Sequence, residues 1–471
     1  MYQKLLRETE LPKAGSPRRG QAVPDGTIYI GQSRSSCQNK YPRRSRRHKG
    51  AAMTPAEEME RLAARAREAA RAMSRARAET KTRALIGLAD QLAAREEEIL
   101  TANRKDLDAA RAAGLDAPRL DRLTLTPAIM AEMRAACMHV AQLPDPVGVT
   151  EQQWQQPNGL LVGRMRIPLG VIAMIYEARP NVTIDAAILC IKAGNAVILR
   201  GGSEALHSNT ALAGLLQTAL SDAGLPPQAA QLVGITDHAA VTALCKLDRY
   251  IDVIIPRGGE GLVRAVTEAA TMPVLKHFKG VCHAFIDADA DQDQALEIVF
   301  NAKVQRPGVC NALECLLVHK DAATNFLPLA AAKLGAAGVE FRASPEALPL
   351  LGPGAVLLQP EDLGQEFHAL ILAVLVVDDL DAALDHIARY GSNHTEIICT
   401  RDYGHAMRFL READASMVAV NASSRFNDGG QLGLGAEIGI STSKLHAYGP
   451  MGVQELTTTK FVVLGQGQVR Q

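Results

Sequence analysis

Apolar residues recur every three or four positions in the region that follows residue 53. Between Thr54 and about residue 146 the sequence is rich in Ala, Arg and Glu, and its apolar spacing is typical of amphipathic helices. The run Thr54-Pro55-Ala56-Glu57 has the residue types of a capping box, with proline at the first helical position. We therefore expect a helical region whose faces serve packing and carry no chemistry.

The pattern then changes. Residues 151–166 are mixed polar and aliphatic, with Pro157-Asn158-Gly159 at their centre, which predicts a β-hairpin. The exposed strands of such a hairpin would suit pairing with another subunit. Beyond residue 170, short aliphatic runs alternate with helical segments, and this alternation indicates parallel sheets covered by helices.

Two series of aliphatic runs predict two parallel α/β domains. The strands of the first series are expected at residues 170–176, 196–199, 231–233 and 253–255. Those of the second series are expected at residues 284–286, 314–318, 355–358, 370–377, 395–400 and 417–421. We place the domain boundary near residue 280 and expect a ligand in the cleft between the domains. The predicted units are 53–280 with the hairpin, 281–435, and a C-terminal return over 436–471.

The charge of the chain is balanced overall but unevenly distributed. Of 51 Lys and Arg and 51 Asp and Glu, residues 1–52 contain 12 basic and 3 acidic residues and few apolar ones. This composition predicts a disordered basic extension. One interpretation is an arm that binds nucleic acid or targets the protein. We favour translated sequence upstream of a natural start at Met53, because the capping box begins immediately after that methionine, and we expect no nucleic-acid partner.

The eight cysteines are scattered without CxxC pairs or local Cys/His motifs, which argues against a zinc site. Their irregular spacing in a chain of 471 residues also argues against a disulfide framework. No apolar run approaches the roughly 18 residues of a membrane span, and no signal peptide opens the sequence. We therefore expect a reducing, cytoplasmic location and no membrane partner.

Cys310 is the strongest candidate for a catalytic nucleophile. It follows Arg306-Pro307-Gly308-Val309, where Gly308 permits close approach of a substrate to the backbone. The positive charge of Arg306 would favour the thiolate over the thiol. A buried, inert cysteine is the alternative that this segment alone leaves open.

Seven segments of the chain occur in an order that matches one known family. They are residues 176–183 (YEARPNVT), 192–204 (KAGNAVILRGGSE), 255–259 (IPRGG), 276–280 (KHFKG), the Cys310 segment, 421–430 (NASSRFNDGG) and 433–452. Together they resemble the aldehyde dehydrogenase superfamily, and most closely its gamma-glutamyl phosphate reductases, over nearly all of residues 53–465. The resemblance implies a cofactor domain, a catalytic domain that carries the cysteine, and an oligomerisation element made of the hairpin and a last strand over 459–464.

The activity that the resemblance implies is the NADPH-dependent reduction of L-glutamate 5-phosphate to L-glutamate 5-semialdehyde and phosphate, the second step of proline biosynthesis from glutamate. Cys310 would attack the acyl phosphate and form a thioester, which hydride then reduces. Its backbone N–H and the amide of Asn181 would stabilise the oxyanions, although a structural role for Asn181 is nearly as well supported. Hydrolytic relatives carry a glutamate where this chain has His277, so the thioester should survive unless His277 acts as a base.

The resemblance also implies where the cofactor binds. Ser203 stands where NAD-preferring relatives carry a glutamate, and with Arg200 beside it this favours NADPH, unless Arg200 pairs with a surface acid. Gly258 and Gly259 lie at a strand end before a helix, where free N–H groups would accept the pyrophosphate, although a plain turn also uses such glycines. Glu366 loosely matches the glutamate that holds the nicotinamide ribose.

An anionic substrate needs basic partners. Arg306 and Lys279 are expected to meet the phosphate, and Arg425, with Asn427 nearby, the α-carboxylate. No metal is expected. The resemblance further implies a homo-oligomer and leaves open a functional association with glutamate 5-kinase. An oxidising aldehyde dehydrogenase or an acyl-CoA reductase on the same fold is the alternative function.

Overall fold

The computed structural model describes residues 53–470, so the extension predicted over 1–52 lies outside the described residues. The first described region is helical, as its apolar spacing predicts. The predicted capping box is confirmed, since Thr54 Oγ1 accepts from the Glu57 N–H at 3.3 Å and a Glu57 oxygen accepts from the Thr54 N–H at 2.9 Å. The helices are α1 (Pro55–Met73), α2 (Ala78–Ala94), α3 (Glu96–Ala112), α4 (Ala117–Leu123) and α5 (Pro127–Gln142).

The predicted hairpin is formed by β1 (Thr150–Gln155) and β2 (Leu161–Pro168), which pair antiparallel. The turn between them contains Gly159, whose φ of +88° is favourable for glycine and strained for other residues. All residues of β1 are exposed. The hairpin therefore presents one face and one strand edge to solvent.

A four-stranded parallel sheet follows, in the order β5-β4-β3-β6. Every residue of β3 and β4 is buried, because helices cover both faces of such a sheet. The strands are β3 (Val171–Tyr176), β4 (Ala196–Arg200), β5 (Ala230–Leu232) and β6 (Val253–Arg257). The helices are α6 (Val182–Lys192), α7 (Leu206–Asp222), α8 (His238–Leu244) and α9 (Glu260–Ala269).

The second sheet has seven parallel strands in the order β10-β9-β11-β8-β7-β12-β13. Six of them were predicted, and the short strand β9 was missed. The strands are β7 (Cys282–Ile286), β8 (Leu313–His319), β9 (Glu340–Ala343), β10 (Val356–Leu357), β11 (Ile371–Val377), β12 (Thr395–Cys399) and β13 (Met417–Val420). The helices are α10 (Gln292–Val304), α11 (Lys320–Ala336), α12 (Leu348–Leu351), α13 (Leu380–Tyr390) and α14 (Tyr403–Glu412).

The C-terminal segment returns to the first sheet. Short strands β14 (Ile440–Ser441) and β15 (Gly449–Pro450) pair with each other, and β16 (Thr457–Leu464) pairs with β2 along its whole length. Buried side chains between residues 438 and 456 join the core of the four-stranded sheet. Among the described residues, no helix is both long and apolar enough to cross a membrane. Division of the chain into functional domains stays a prediction.

Candidate active site

Cys310 lies on the loop between α10 and β8, and a second loop packs directly against its backbone. A β-carbon added to Gly280 would overlap the carbonyl oxygen of Cys310. The same oxygen lies 3.2 Å from the Cys282 thiol, which donates to it. Position 280 therefore requires glycine, because the Cys310 backbone lies too close for a β-carbon. The loop of residues 276–281 thus helps to fix the position of Cys310.

Two histidines flank Cys310. Its Sγ and one ring nitrogen each of His277 and His394 all lie within 4.8 Å of one another, and we name these three residues the Cys310 cluster. His277 Nδ1 lies 2.8 Å from the carbonyl oxygen of Ile440, which can only accept a hydrogen bond, so the neutral ring carries its proton on Nδ1. Its Nε2 then keeps a lone pair. The structure thus places the alternative base named from the sequence beside the nucleophile.

Both histidines are neutral near pH 7. Burial lowers the pKa of His277. Burial, followed by the charges of His277 and Arg257, lowers the pKa of His394 to about 3. His394 Nδ1 contacts Thr395 Oγ1 at 2.7 Å, whereas its buried Nε2 has no partner among residues 53–470. Two neutral imidazoles can accept a proton, and neither stabilises a thiolate by charge.

The strongest cationic influence on Cys310 comes from Arg257, whereas the influence of Arg306 stays a prediction. Burial raises the pKa of the Cys310 thiol to about 11, and the positive charge that acts most strongly against this increase belongs to Arg257. Arg306 is exposed. At a pKa of about 11 roughly one thiol in 10⁴ is ionised at pH 7. Cys310 is therefore a thiol in the free protein and needs a base.

Arg257 is the functional candidate that sequence reasoning missed. It ends β6, and the carboxyl end of a parallel strand is where ligands bind in α/β sheets. Its guanidinium packs against Gly439 and makes no side-chain hydrogen bond or ion pair in the described part of the chain. The available signal was its place in the IPRGG segment at a predicted strand end, where the sequence analysis assigned a role only to Gly258 and Gly259.

Two carboxylates complete the surroundings of Cys310. Glu366 and Glu437 both raise the pKa of the thiol. Although burial raises the pKa of Glu366, its hydrogen bond with His368 and the charge of that residue lower it below its usual value. Burial raises the pKa of Glu437, which accepts from the Gly429 N–H at 2.9 Å. The carboxylate that hydrolytic relatives carry is thus absent from residues 277–280, but two other carboxylates lie near Cys310.

The predicted substrate residues Arg306 and Arg425 lie near each other and near Cys310. Burial lowers the pKa of Arg425, and the charge of Arg306 lowers it further. Arg425 Nε donates to Gln305 Oε1 at 2.8 Å, while its buried Nη1 has no partner within the described range. Lys279 lies 3.9 Å from a Glu260 oxygen. Arg425 thus has one buried, unpaired guanidinium nitrogen near the nucleophile.

The two predicted asparagines are both engaged by the protein. Asn181 stands before α6, and its Nδ2 donates to Asp185 Oδ2 at 3.0 Å. Asn427 is fully buried, and its Nδ2 donates to Thr395 Oγ1 at 2.8 Å. Asn427 anchors the loop of Arg425 in this structure, with no exposed part of its side chain. Contacts of either asparagine with substrate stay predictions.

Comparison with known proteins shows the family of the chain. A sequence model of the aldehyde dehydrogenase family matches residues 30–346. The gamma-glutamyl phosphate reductase of Desulfovibrio desulfuricans is 79% identical over 423 residues, which cover 89% of this chain and 100% of that protein. The crystal structure of the Thermotoga maritima gamma-glutamyl phosphate reductase, 43% identical, has a TM-score of 0.86 and covers 88% of this chain and 100% of its own.

The chain belongs to the gamma-glutamyl phosphate reductases of the aldehyde dehydrogenase superfamily. An acetylating aldehyde dehydrogenase from Geobacillus thermoglucosidasius is 16% identical with a TM-score of 0.63, covering 88% of this chain and 98% of its own, and shows the shared fold alone. The predicted fold class is confirmed.

A gamma-glutamyl phosphate reductase uses a nicotinamide cofactor. In this chain the residues expected near the adenosine ribose of that cofactor include both a positive and a negative side chain. Arg200 is buried and donates to the carbonyl oxygens of Gly201 at 2.9 Å and Thr236 at 3.1 Å, while its Nε has no partner among the described residues. Ser203 is exposed. The Glu204 carboxylate lies against Gly202, where an added β-carbon would overlap it. Ser203 thus lacks the negative charge that a glutamate supplies in NAD-preferring relatives, but Glu204 supplies one at the next position.

The expected pyrophosphate site holds a carboxylate of the protein itself. The Gly259 N–H, before α9, donates to Glu177 Oε1 at 3.2 Å, and a β-carbon on Gly258 would overlap the same side chain. The expectation of a free N–H at Gly259 is therefore wrong for this structure. The N-terminus of α9 carries a partial positive charge, which stabilises the Glu177 carboxylate bound there. A pyrophosphate can bind at the same place only if it displaces Glu177.

Proposed function

We propose that the chain reduces L-glutamate 5-phosphate to L-glutamate 5-semialdehyde and phosphate, the second step of proline biosynthesis, through a thioester on Cys310. The observation that carries the proposal is the Cys310 cluster, in which a half-buried thiol adjoins a histidine whose Nε2 lone pair is fixed by the bond from Nδ1 to Ile440. A bound NADPH supplies the hydride. The remaining steps belong to the residues of the chain.

His277 Nε2 is the proposed base for the thiol. Its pKa is lowered by burial, so the ring is free to accept the proton at neutral pH. The pKa of about 11 for Cys310 makes such a base necessary, because spontaneous ionisation is rare. As Sγ bonds to the acyl carbon and phosphate leaves, the charge passes from the sulfur to the departing anion.

The tetrahedral intermediates need hydrogen-bond donors. The backbone N–H of Cys310 makes no hydrogen bond within residues 53–470 and is the first donor. Asn181 is the proposed second donor, and its amide must turn away from Asp185 to reach the oxyanion. Burial raises the pKa of Asp185 to about 6, so this acid is readily neutralised when the amide leaves.

The charged groups of the substrate are assigned to the arginines around Cys310. We place the γ-phosphate against Arg306, Lys279 and Arg257, and the α-carboxylate against the free Nη1 of Arg425. On the cofactor, Glu366 takes the nicotinamide ribose, because it lies beside Cys310. Arg200 and Ser203 take the 2′-phosphate and support NADPH, whereas Glu204 acts against it.

The deciding experiment is the reverse reaction with glutamate 5-semialdehyde, NADP and phosphate. We expect aldehyde oxidation to require inorganic phosphate and Cys310. Oxidation at full rate without phosphate would instead indicate a hydrolytic aldehyde dehydrogenase, which Glu366 and Glu437 near the thiol would serve by activating water. A requirement for coenzyme A would indicate an acyl-CoA reductase.

We also propose a cytoplasmic homo-oligomer assembled through the sheet of β1, β2 and β16. Phe461 is 65% exposed and Leu464 64% exposed on β16, and Trp154 of β1 meets the Phe461 ring edge to face at 6.3 Å. Phe461→Glu should convert the oligomer to monomer in light scattering. An unchanged mass would exclude this sheet as the interface. Glutamate 5-kinase is a further proposed partner, testable by co-purification.

A further inference from the structure

A second group of one cysteine and two histidines lies within the seven-stranded sheet. Cys315 Sγ and one ring nitrogen each of His283 and His386 all lie within 4.8 Å of one another, and we name these residues the Cys315 cluster. His283 on β7 is the register partner of Cys315 on β8. His386 comes from α13, which packs over the sheet. None of the three belongs to the proposed catalytic steps.

The spacing fits a tetrahedral metal ion. Cys315 Sγ lies 3.7 Å from His386 Nε2. Zinc bound to sulfur at about 2.3 Å and to nitrogen at about 2.0 Å holds those two atoms about 3.5 Å apart at a tetrahedral angle. A thiol that donates to a neutral imidazole gives a similar distance, so this pair alone does not distinguish a metal from a hydrogen bond.

His283 distinguishes them. Its side chain is fully buried, and its Nε2 has no hydrogen-bond partner anywhere in residues 53–470. A buried polar nitrogen without a partner is rare in native proteins and destabilises them. A metal ion between the three side chains would satisfy this nitrogen.

Glu396 holds the ring of His283 in the orientation that metal binding needs. Its Oε2 lies 2.9 Å from His283 Nδ1 and accepts from the His283 backbone N–H at 3.1 Å. A carboxylate on Nδ1 keeps the proton there and is the usual arrangement behind metal-bound histidine. Although burial lowers the pKa of the His283 ring, Glu396 and Cys315 raise it to about 10, so a metal ion must displace the proton on Nε2 when it binds. The thiolate of Cys315 and the carboxylate of Glu396 would together balance the charge of a divalent ion.

We propose that His283, Cys315 and His386 bind one divalent ion of the zinc class, which ties α13 to strands β7 and β8. One thiolate and two imidazoles are ligands that zinc and cobalt prefer. His386 is partly exposed and gives the ion a route from solvent, as well as a fourth position for water. No local motif in the sequence marks this site, because its ligands come from three separate elements.

The test uses full-length Cys310→Ser protein, because the Cys310 cluster offers the same kinds of ligand. Metal-stripped protein is titrated with Co²⁺, which gives a thiolate-to-cobalt charge-transfer band when it binds sulfur. We expect one equivalent of Co²⁺ per chain, displacement by Zn²⁺, and a higher Tm with metal. Adding Cys399→Ser, a buried cysteine on neighbouring β12, should leave all three unchanged.

Adding Cys315→Ser should abolish the band and the rise in Tm. His386→Gln keeps the thiol and changes a partly exposed side chain, so it decides the matter if Cys315→Ser does not fold. It should weaken Co²⁺ binding at least tenfold, in line with the loss of one ligand. No sulfur band in the Cys310→Ser protein, a band that survives Cys315→Ser, or an unchanged Co²⁺ affinity after His386→Gln would overturn the proposal.

Discussion

The Cys310 cluster and the Cys315 cluster have the same composition and opposite surroundings. Cys310 sits on a loop, with arginines and unpaired N–H groups around it. Cys315 sits on a central strand, 5% exposed, between apolar neighbours and a histidine held by Glu396. The same three donor types thus lie beside cationic side chains in the Cys310 cluster, whereas in the Cys315 cluster they converge on one point between apolar neighbours.

The difference shows that function here is set by what surrounds the cysteine. A nucleophile needs a base with a free lone pair and cations for its substrate, roles that the proposed mechanism gives to His277, Arg257 and Arg425. A metal ligand needs converging donors and a fixed tautomer.

Cys310→Ser should reduce kcat by at least about 10⁴-fold, because a serine hydroxyl is a far poorer nucleophile at neutral pH. Unfolding temperature and cofactor binding should be unchanged. Steady-state phosphate-dependent oxidation of the semialdehyde measures the loss. The matched control is Cys399→Ser, which lies in the sheet core away from the site. Substantial activity in Cys310→Ser would assign the nucleophile elsewhere.

His277→Gln should lower kcat/KM at pH 7 by about 10²- to 10⁴-fold, the usual contribution of a general base. With the base gone, attack depends on the ionised thiol, whose fraction rises with pH below its pKa of about 11. The variant should therefore gain about tenfold per pH unit between pH 7 and 9.

Wild type should instead rise only below pH 6.5, as His277 loses its proton, and then stay level, because burial lowers the pKa of this histidine. The exposed His238 provides the control, since His238→Gln should keep the wild-type profile. Parallel pH profiles for wild type and His277→Gln would show that His277 does not act on the thiol.

Gly280→Ala should lower kcat by about 10²-fold, because its β-carbon would overlap the Cys310 carbonyl and displace the nucleophile by about 1 Å. Gly261→Ala on α9 is the control, since no atom lies within 4 Å of its added β-carbon. Single-turnover measurement of thioester formation isolates the step. Equal activities of the two variants would mean that the loop yields without moving Cys310.

Arg425→Ala should raise KM for the semialdehyde about 10- to 150-fold and leave KM for NADP unchanged, since a charge-assisted bond to the carboxylate contributes roughly 1.5–3 kcal/mol. Arg425→Lys should recover part of the loss, because an ammonium cannot form a two-pronged contact. Arg401→Ala, at an exposed ion pair with Asp291, is the control. A parallel rise in both KM values would remove Arg425 from the substrate pocket.

Most of the fold was predictable from apolar spacing, because buried parallel strands are continuous aliphatic runs. Strand β9 was missed because Glu340-Phe341-Arg342-Ala343 is short and carries two charged residues. Its pairing with β11 and β10 comes from tertiary contacts that no local pattern encodes. The capping box and hairpin succeeded because their determinants lie within a few residues.

The site was predictable where a residue carries its own local signal. Gly308 and Cys310 have such a signal. The two clusters have none, because their histidines and cysteines are up to 117 or 103 residues apart and meet only in the folded chain. The lack of local Cys/His motifs therefore could not reveal these two clusters, and the expectation of no metal stays a prediction. The acidic groups Glu177 and Glu204 were missed for the same reason, since their contacts with the glycine turns depend on backbone geometry.

The smallest expected effect concerns the preference of the enzyme for NADPH over NADH. Glu204→Gln removes a partly solvated negative charge beside Ser203, worth about 1 kcal/mol against a 2′-phosphate, so the kcat/KM ratio of NADPH to NADH should rise about fivefold. Ser203→Glu adds such a charge and should lower the ratio by a similar factor. Both effects should shrink at high salt, because exposed charges are screened. Glu268→Gln, on the surface of α9, is the control and should leave the ratio unchanged. If neither change alters the ratio, the ribose lies elsewhere and the turn after β4 does not select the cofactor.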